Sequence, residues 1–291
     1  LAAENGKGKF GKNLLWRVIM AVVFVPIFLW ISWLGGVLFF LYVEALILLG
    51  MVEYNAMLRA GGHQVKGITG ILASLACGTL FFLYPYQGAG ITMVFVFSLL
   101  VFLLLQSLLA PPGALSLEGI GLTIFGVIYV GFFFSHQILL REGMSHHCGS
   151  NKAGWYYLLF PYLIVWVSDT SAYFTGKFFG RHKLAPLISP GKSVEGAIGG
   201  LLFSVTAALV YSSAVPGYLT SRDALILGLI VAIVCQAGDM FESLLKRAAG
   251  VKDSSSLIPG HGGILDRYDG ILVSVPISYY YFIWISPLLC K

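Results

Sequence analysis

The sequence predicts an all-α fold, a polytopic bundle of about nine membrane-spanning helices. Three observations carry that expectation. Of 291 residues, 58% are hydrophobic and 11% charged, whereas an ordinary soluble domain is roughly one-quarter charged. The mean hydropathy is +0.86, so lipid is the natural solvent. Apolar stretches close to the roughly 20 residues needed to cross a bilayer recur along the chain. Lysine and arginine also segregate between alternate connections, as in membrane proteins with basic cytoplasmic loops.

The first stretch, 14–34, is too long for a signal-peptide core and lacks a small-residue cleavage site, so it reads as a retained helix. Gly35-Gly36 separates it from 37–57, and Gly61-Gly62 closes that second span. A short span, 67–84, follows, then 90–109, which ends before Pro111-Pro112. The fifth, 119–140, runs into the polar segment Arg141–Lys152. The sixth, 154–175, contains Pro161, which a membrane helix tolerates when neighbours satisfy the freed carbonyl. The seventh, 194–213, opens on Gly196, Gly199 and Gly200, small residues that let another helix approach. Pro216-Gly217 precedes 223–242, and 268–288 is the last. No linker or repeat divides the chain, which implies one transmembrane domain over 1–291, with N-terminal helices in 1–150 and the charged, chemistry-bearing helices in 154–291.

An N-terminus in the cytoplasm puts Lys7, Lys9, Lys12, Arg17, Arg59, Lys66, Lys177, Arg181, Lys183, Lys192, Lys246, Arg247, Lys252 and Arg267 inside. Only Arg141, Lys152, Arg222 and Lys291 of the 18 basic residues then fall outside. The formal charge of +5 is thereby assigned to cytoplasmic loops and anionic membrane lipids, not to nucleic acid. The four cysteines form no CxxC pair. Cys77 and Cys235 lie in apolar stretches and read as packing residues, while Cys148 and Cys290 share the expected outer side, where pairing is an open alternative. Glu44 and Glu53 in the second span read as structurally paired carboxylates, and His136 and Gln137 as packing groups.

Of the 13 acidic residues, Asp169, Glu195, Asp239, Glu242, Asp253, Asp266 and Asp269 lie in the C-terminal half at the expected inner ends of spans. Carboxylates there are costly unless paired, bound to a cation or wet. Asp239, Glu242, Ser243 and Lys246 stand at offsets 0, 3, 4 and 7, which share one helical face. Asp266 and Asp269, three apart, share another. Asp239, Asp266 and Asp269 can then meet across two helices, beside Lys246, Arg247 and Arg267. Such oxygen ligands suit Mg²⁺, which also binds substrate phosphates. The neighbouring Lys and Arg suit phosphate oxygens, and the Pro259-Gly260-His261-Gly262-Gly263 turn lets backbone N–H groups approach an anion. These are parts for phosphoryl or nucleotidyl transfer, the alternative being a salt-bridge lattice at helix ends.

The stretch from Ser243 to Asp269, with Lys246-Arg247, Lys252-Asp253, Pro259-Gly260-His261-Gly262-Gly263 and Asp266-Arg267-Tyr268-Asp269, resembles the signature of phosphatidate cytidylyltransferases. Ser168-Asp169-Thr170-Ser171-Ala172-Tyr173-Phe174 and Ser189-Pro190-Gly191-Lys192-Ser193-Val194-Glu195-Gly196 are similar to the same family. The likeness runs from about Trp166 to the C-terminus; the first half matches only as hydrophobic spans. Tyr268 stands where an aliphatic residue is usual, and Gly191-Lys192-Ser193-Val194 where a Lys-Lys-Thr-Trp-like run is common. Neither departure removes a charge. The resemblance implies a multi-helix enzyme, often dimeric, that converts CTP and phosphatidate to CDP-diacylglycerol and pyrophosphate with Mg²⁺ and a second monovalent cation such as K⁺. It implies a bacterial inner membrane and a cytoplasm-facing site.

Asp239, Asp266 and Asp269 are the expected metal ligands, and with Lys246 and Arg247 the catalytic set. Lys192, Lys252, Asp253, His261, Arg267 and Asp169 are the expected substrate-binding residues. A CTP-dependent lipid or polyprenol kinase and an ion-coupled transporter are the rival readings.

Overall fold

In lipid a backbone must satisfy its own polar groups, so apolar stretches of this length become helices. The computed structural model describes residues 22–109, 117–251, 254–255 and 262–286. Within them lie α1 (Val22–Leu34), α2 (Gly36–Ala60), α3 (Gly67–Leu83), α4 (Gly88–Leu109) and α5 (Leu117–His147). The C-terminal half holds α6 (Asn151–Phe179), α7 (Val194–Ala214), α8 (Ser221–Ala248) and α9 (Leu265–Trp284). The all-α expectation therefore holds for the architecture. One addition is a small antiparallel hairpin between α6 and α7, formed by β1 (Lys183–Ala185) and β2 (Ser189–Ser193). It escaped the sequence reading because Ser189-Pro190-Gly191-Lys192-Ser193 has neither apolar alternation nor β-branched residues.

Four helices, α2, α5, α7 and α8, are each long and apolar enough to cross a membrane. Large hydrophobic side chains such as Phe97, Leu72, Phe203 and Ile233 face outward from the bundle, as they do where the surroundings are lipid. The chain is a membrane protein.

α6 and α7 make the most extensive helix pair, and α8 packs on both α7 and α9. The glycines of α7 permit this: a Cβ on Gly196 would stand 2.8 Å from the Ala172 carbonyl of α6, and one on Gly199 would collide with Thr175. α2, α3 and α5 form a second group, and α9 bridges the halves through α5 and α2. Antiparallel connection brings the C-terminal ends of α2, α6 and α8, the hairpin, and the N-terminal ends of α7 and α9 to one end of the bundle.

α5 does not stop at Arg141, as the polar run there predicted, but continues to His147 with π-helical turns over Val127–Phe132 and Leu139–Gly143. Arg141 is fully buried. Its Nε donates to the Ser32 carbonyl at 2.6 Å, its Nη2 to the Trp33 carbonyl at 3.0 Å and its Nη1 to Ser145 Oγ at 2.7 Å. Glu142 Oε1 accepts from the Gly36 N–H at 2.8 Å. One residue satisfies the last carbonyls of α1 and its neighbour the first amide of α2, so the helix carries both charges inward at tolerable cost. Gly35, with φ 66°, makes the break between those two helices.

Gln137 accepts from Tyr162 Oη, and His136 Nδ1 lies 2.7 Å from the Phe132 carbonyl, the packing roles expected of both. Cys77 and Cys235 are buried free thiols. Cys290, the other half of the pairing left open, lies outside the described residues.

Candidate active site

Charged side chains gather in two adjoining places at one end of the bundle. The first is a cleft of about 370 Å³ between α6, the hairpin, the start of α7 and α8. Asp169, Tyr173 and Lys177 line it from α6, Gly191 and Lys192 from β2, and Gln236 and Asp239 from α8. Lys192 Nζ stands 2.6 Å from Asp239 Oδ2.

Local sequence fixes this wall. Ser193 caps α7, its Oγ accepting from the Gly196 N–H at 3.1 Å. Glu195, in the first turn, accepts from the Arg181 N–H at 3.0 Å and pairs with His182 Nδ1 at 2.6 Å. Lys183 Nζ donates to the Pro190 carbonyl at 2.8 Å, tying the two strands of the hairpin that presents Lys192.

The second place lies where α8 meets the start of α9. Lys246 Nζ is 3.0 Å from Glu242 Oε2, one helical turn back, and 2.5 Å from Asp266 Oδ1. Asp266 Oδ2 accepts from Ser254 Oγ at 2.9 Å and from the Gly263 N–H at 2.8 Å. From the N-terminal half, the buried Glu53 adds a carboxylate that accepts from Ser255 Oγ and the Ile264 N–H, each at 2.8 Å, and from the Leu265 N–H at 3.0 Å.

Between the two places sits Asp269. Gly238 makes its position possible: a Cβ there would stand 2.7 Å from the Asp269 carbonyl, so α8 and α9 cross at backbone contact. Asp269 thus comes within electrostatic reach of Asp239, Glu242 and Asp169. Asp169 is exposed at the cleft and also feels Lys192 and Arg267.

The structure brings together Asp169, Lys192, Asp239 and Asp269 around the cleft, and Lys246 with Asp266 beside it. It does not draw Asp239, Asp266 and Asp269 onto one point, as their spacing led us to expect. Among the described residues, no three His, Cys, Asp or Glu side chains form a group fit to hold a metal ion by themselves. The physical reason is that both oxygens of Asp266 are engaged, by Lys246 on one side and by Ser254 and Gly263 on the other. Asp239 and Asp269 still fit Mg²⁺, which commonly takes one or two carboxylates and fills its shell with water and substrate phosphate oxygens. Arg247 is exposed and donates to the Val251 carbonyl at 3.4 Å, past the end of α8, so it does not join Lys246. Lys252, Asp253 and His261 lie outside the described residues.

Sequence reasoning gave no site role to Glu53, Tyr173 or Gln236. Glu53 carried a signal, an ionisable residue inside a span, but its partners are more than 200 positions away. Tyr173 and Gln236 carried none.

Residues 15–285 match the model of the cytidylyltransferase family. The chain belongs to that family. A phosphatidate cytidylyltransferase of Staphylococcus haemolyticus is 34% identical over 265 residues, covering 90% of this chain and 96% of the relative. One of Brucella melitensis biotype 1 is 35% identical over 269 residues, 92% of each chain. This cytidylyltransferase-family chain is therefore similar to such proteins through both halves of its bundle, not only through the C-terminal stretch whose motifs carried the resemblance.

Proposed function

We propose that the chain is a phosphatidate cytidylyltransferase that joins CTP and phosphatidate into CDP-diacylglycerol and releases pyrophosphate. Full-length similarity to relatives of that name supports this, and one structural observation carries it to the residues. That observation is the cleft at the end of the bundle where Lys192 pairs with Asp239, beside Asp169 and Asp269.

The reaction needs two anions brought together. An ionised oxygen of the phosphatidate phosphate attacks the α-phosphorus of CTP. The bond from that phosphorus to the bridging oxygen breaks, and the electron pair leaves with pyrophosphate. A phosphate monoester is already nucleophilic at neutral pH, so positioning and charge neutralisation do most of the work. Lys192 offers an ammonium from the wall of the cleft, where a phosphate oxygen could replace Asp239 as its partner. Arg267 and Lys177 add positive charge around the same opening, and Tyr173 and Gln236 offer neutral hydrogen-bonding groups. Lys246 holds Asp266, and so the start of α9 from which Asp269 projects. When bound, Mg²⁺ would be held by Asp239 and Asp269 and would supply charge neutralisation at the phosphates. Lys252, Asp253 and His261 belong to the substrate-binding set on the family likeness, as does a second monovalent cation such as K⁺. We further assign the chain to a bacterial inner membrane as a nine-span bundle, with the N-terminus and the cleft facing the cytoplasm, on the strength of the basic-residue asymmetry; homodimerisation follows from the family likeness alone.

Purified protein given CTP labelled in the base, with phosphatidate and Mg²⁺, tests the reaction. Labelled lipid and stoichiometric pyrophosphate are expected. Release of CDP with phosphorylated lipid would mark a kinase instead, and no turnover of either kind would refute the assignment.

A further inference from the structure

Glu53 lies in α2, far in sequence from every motif of the family, yet it is almost fully buried, at 2% exposure. An ionised carboxylate in such a place needs strong partners. It has them, and they share a pattern. Oε1 accepts from Ser255 Oγ and from the Ile264 N–H, each at 2.8 Å. Oε2 accepts from the Leu265 N–H at 3.0 Å and lies 3.4 Å from Ser254 Oγ. Ser254 and Ser255 follow α8; Ile264 and Leu265 begin α9. A single side chain thus holds both ends of the connection between the two helices that carry Asp239 and Asp269.

The chemistry fits the place. The first amides of a helix have no partner of their own, and the helix dipole favours a negative charge there. α9 begins at Leu265 with no cap from a neighbouring residue; Glu53 supplies it from another helix. Close packing leaves the carboxylate little choice of position, since a Cβ on Gly263 would collide with both Glu53 and Ser254.

We propose that Glu53 is a positioning residue for the transfer reaction. It fixes where α9 starts, and therefore where Asp266, Arg267 and Asp269 stand relative to Asp239. This rests on the nucleotidyl-transfer reading given above, and it gives the N-terminal half of the bundle a part in the chemistry.

The test compares Glu53→Gln and Glu53→Asp with the parent protein, and adds Ser255→Ala as a milder cut on the same contact. Glutamine keeps one accepting oxygen but turns an NH₂ toward an amide that needs an acceptor. In Glu53→Gln, hydrogen exchange at the Ile264 and Leu265 amides should rise by about tenfold or more, because a charge-assisted bond is lost. Exchange in the middle of α2 and α8 should stay unchanged. In folded protein, kcat should fall by about tenfold or more, with partial recovery in Glu53→Asp and a smaller loss in Ser255→Ala. Parental exchange at both amides would overturn the proposal whatever the activity. So would parental kcat in folded Glu53→Gln. If Glu53→Gln does not fold, unchanged kcat and exchange in Ser255→Ala refute the idea. A parent protein without CTP-dependent product would refute the reaction itself and the catalytic part of this inference, while the exchange data still decide whether Glu53 holds α9.

Discussion

Lys192 Nζ and Asp239 Oδ2 stand 2.6 Å apart, joining a hairpin to a helix through two residues 47 positions apart in sequence. Neither side chain is fully buried: Lys192 is 23% and Asp239 37% exposed. A pair with an exposed carboxylate contributes less to stability than a fully buried one. Its position in the cleft gives both groups access to a phosphate-bearing substrate.

Replacing Asp239 with Asn should reduce turnover by about a hundredfold or more, as expected when a carboxylate that would hold the charge-neutralising Mg²⁺ loses its own charge. The protein should remain folded, because the Asp239 side chain is 37% exposed and Asn keeps its shape. Turnover measured beside size-exclusion behaviour in detergent checks this; parental activity would exclude Asp239 from the site.

Lys192→Ala should act differently. Losing a phosphate-binding ammonium should lower kcat/KM for CTP by about tenfold to a hundredfold, and Lys192→Arg should retain more of it than alanine. Steady-state kinetics at saturating phosphatidate separate these outcomes.

Removal of divalent ions with EDTA should silence the protein, and added Mg²⁺ should restore it. Asp239 and Asp269 offer only carboxylate oxygen, so Zn²⁺, which prefers nitrogen and sulfur ligands, should restore much less. Turnover that persists in EDTA would remove metal from the reaction.

Lys246→Met should destabilise the fold. It leaves Glu242 and Asp266, at 4% and 10% exposure, facing each other without the cation between them. Breaking a buried ion pair from one side costs about 3 kcal/mol or more, read as a lower melting temperature in detergent. Adding Glu242→Gln should recover part of that loss.

The architecture was legible because lipid leaves few choices. Each apolar stretch became a helix, and the Gly35-Gly36 and Gly61-Gly62 breaks fell where expected. What misled was Arg141: a charge in a sequence marks a boundary unless a partner is known, and its partners Ser32 and Trp33 come from another helix. The site was legible as a set of residues but not as a geometry. Periodicity put Asp239 with Lys246, and Asp266 with Asp269, on shared helical faces. It carried no information on which carboxylates the backbone would claim. Gly263, Ser254 and Lys246 engage both oxygens of Asp266, whereas Asp269 gives Oδ1 to the Gly270 N–H and Asp239 gives Oδ2 to Lys192. Glu53 escaped for the same reason, since a cap supplied from a distant helix has no local pattern.

The clasp of Arg141 on Ser32 joins positions 109 residues apart. Synthesis runs from the N-terminus, so α1 is made long before the side chain that completes its end. Until α5 arrives, the trailing carbonyls of α1 must find water or lipid headgroups. Final seating of α1 is therefore a late event in biogenesis, and an error in α5 would surface as a misplaced α1.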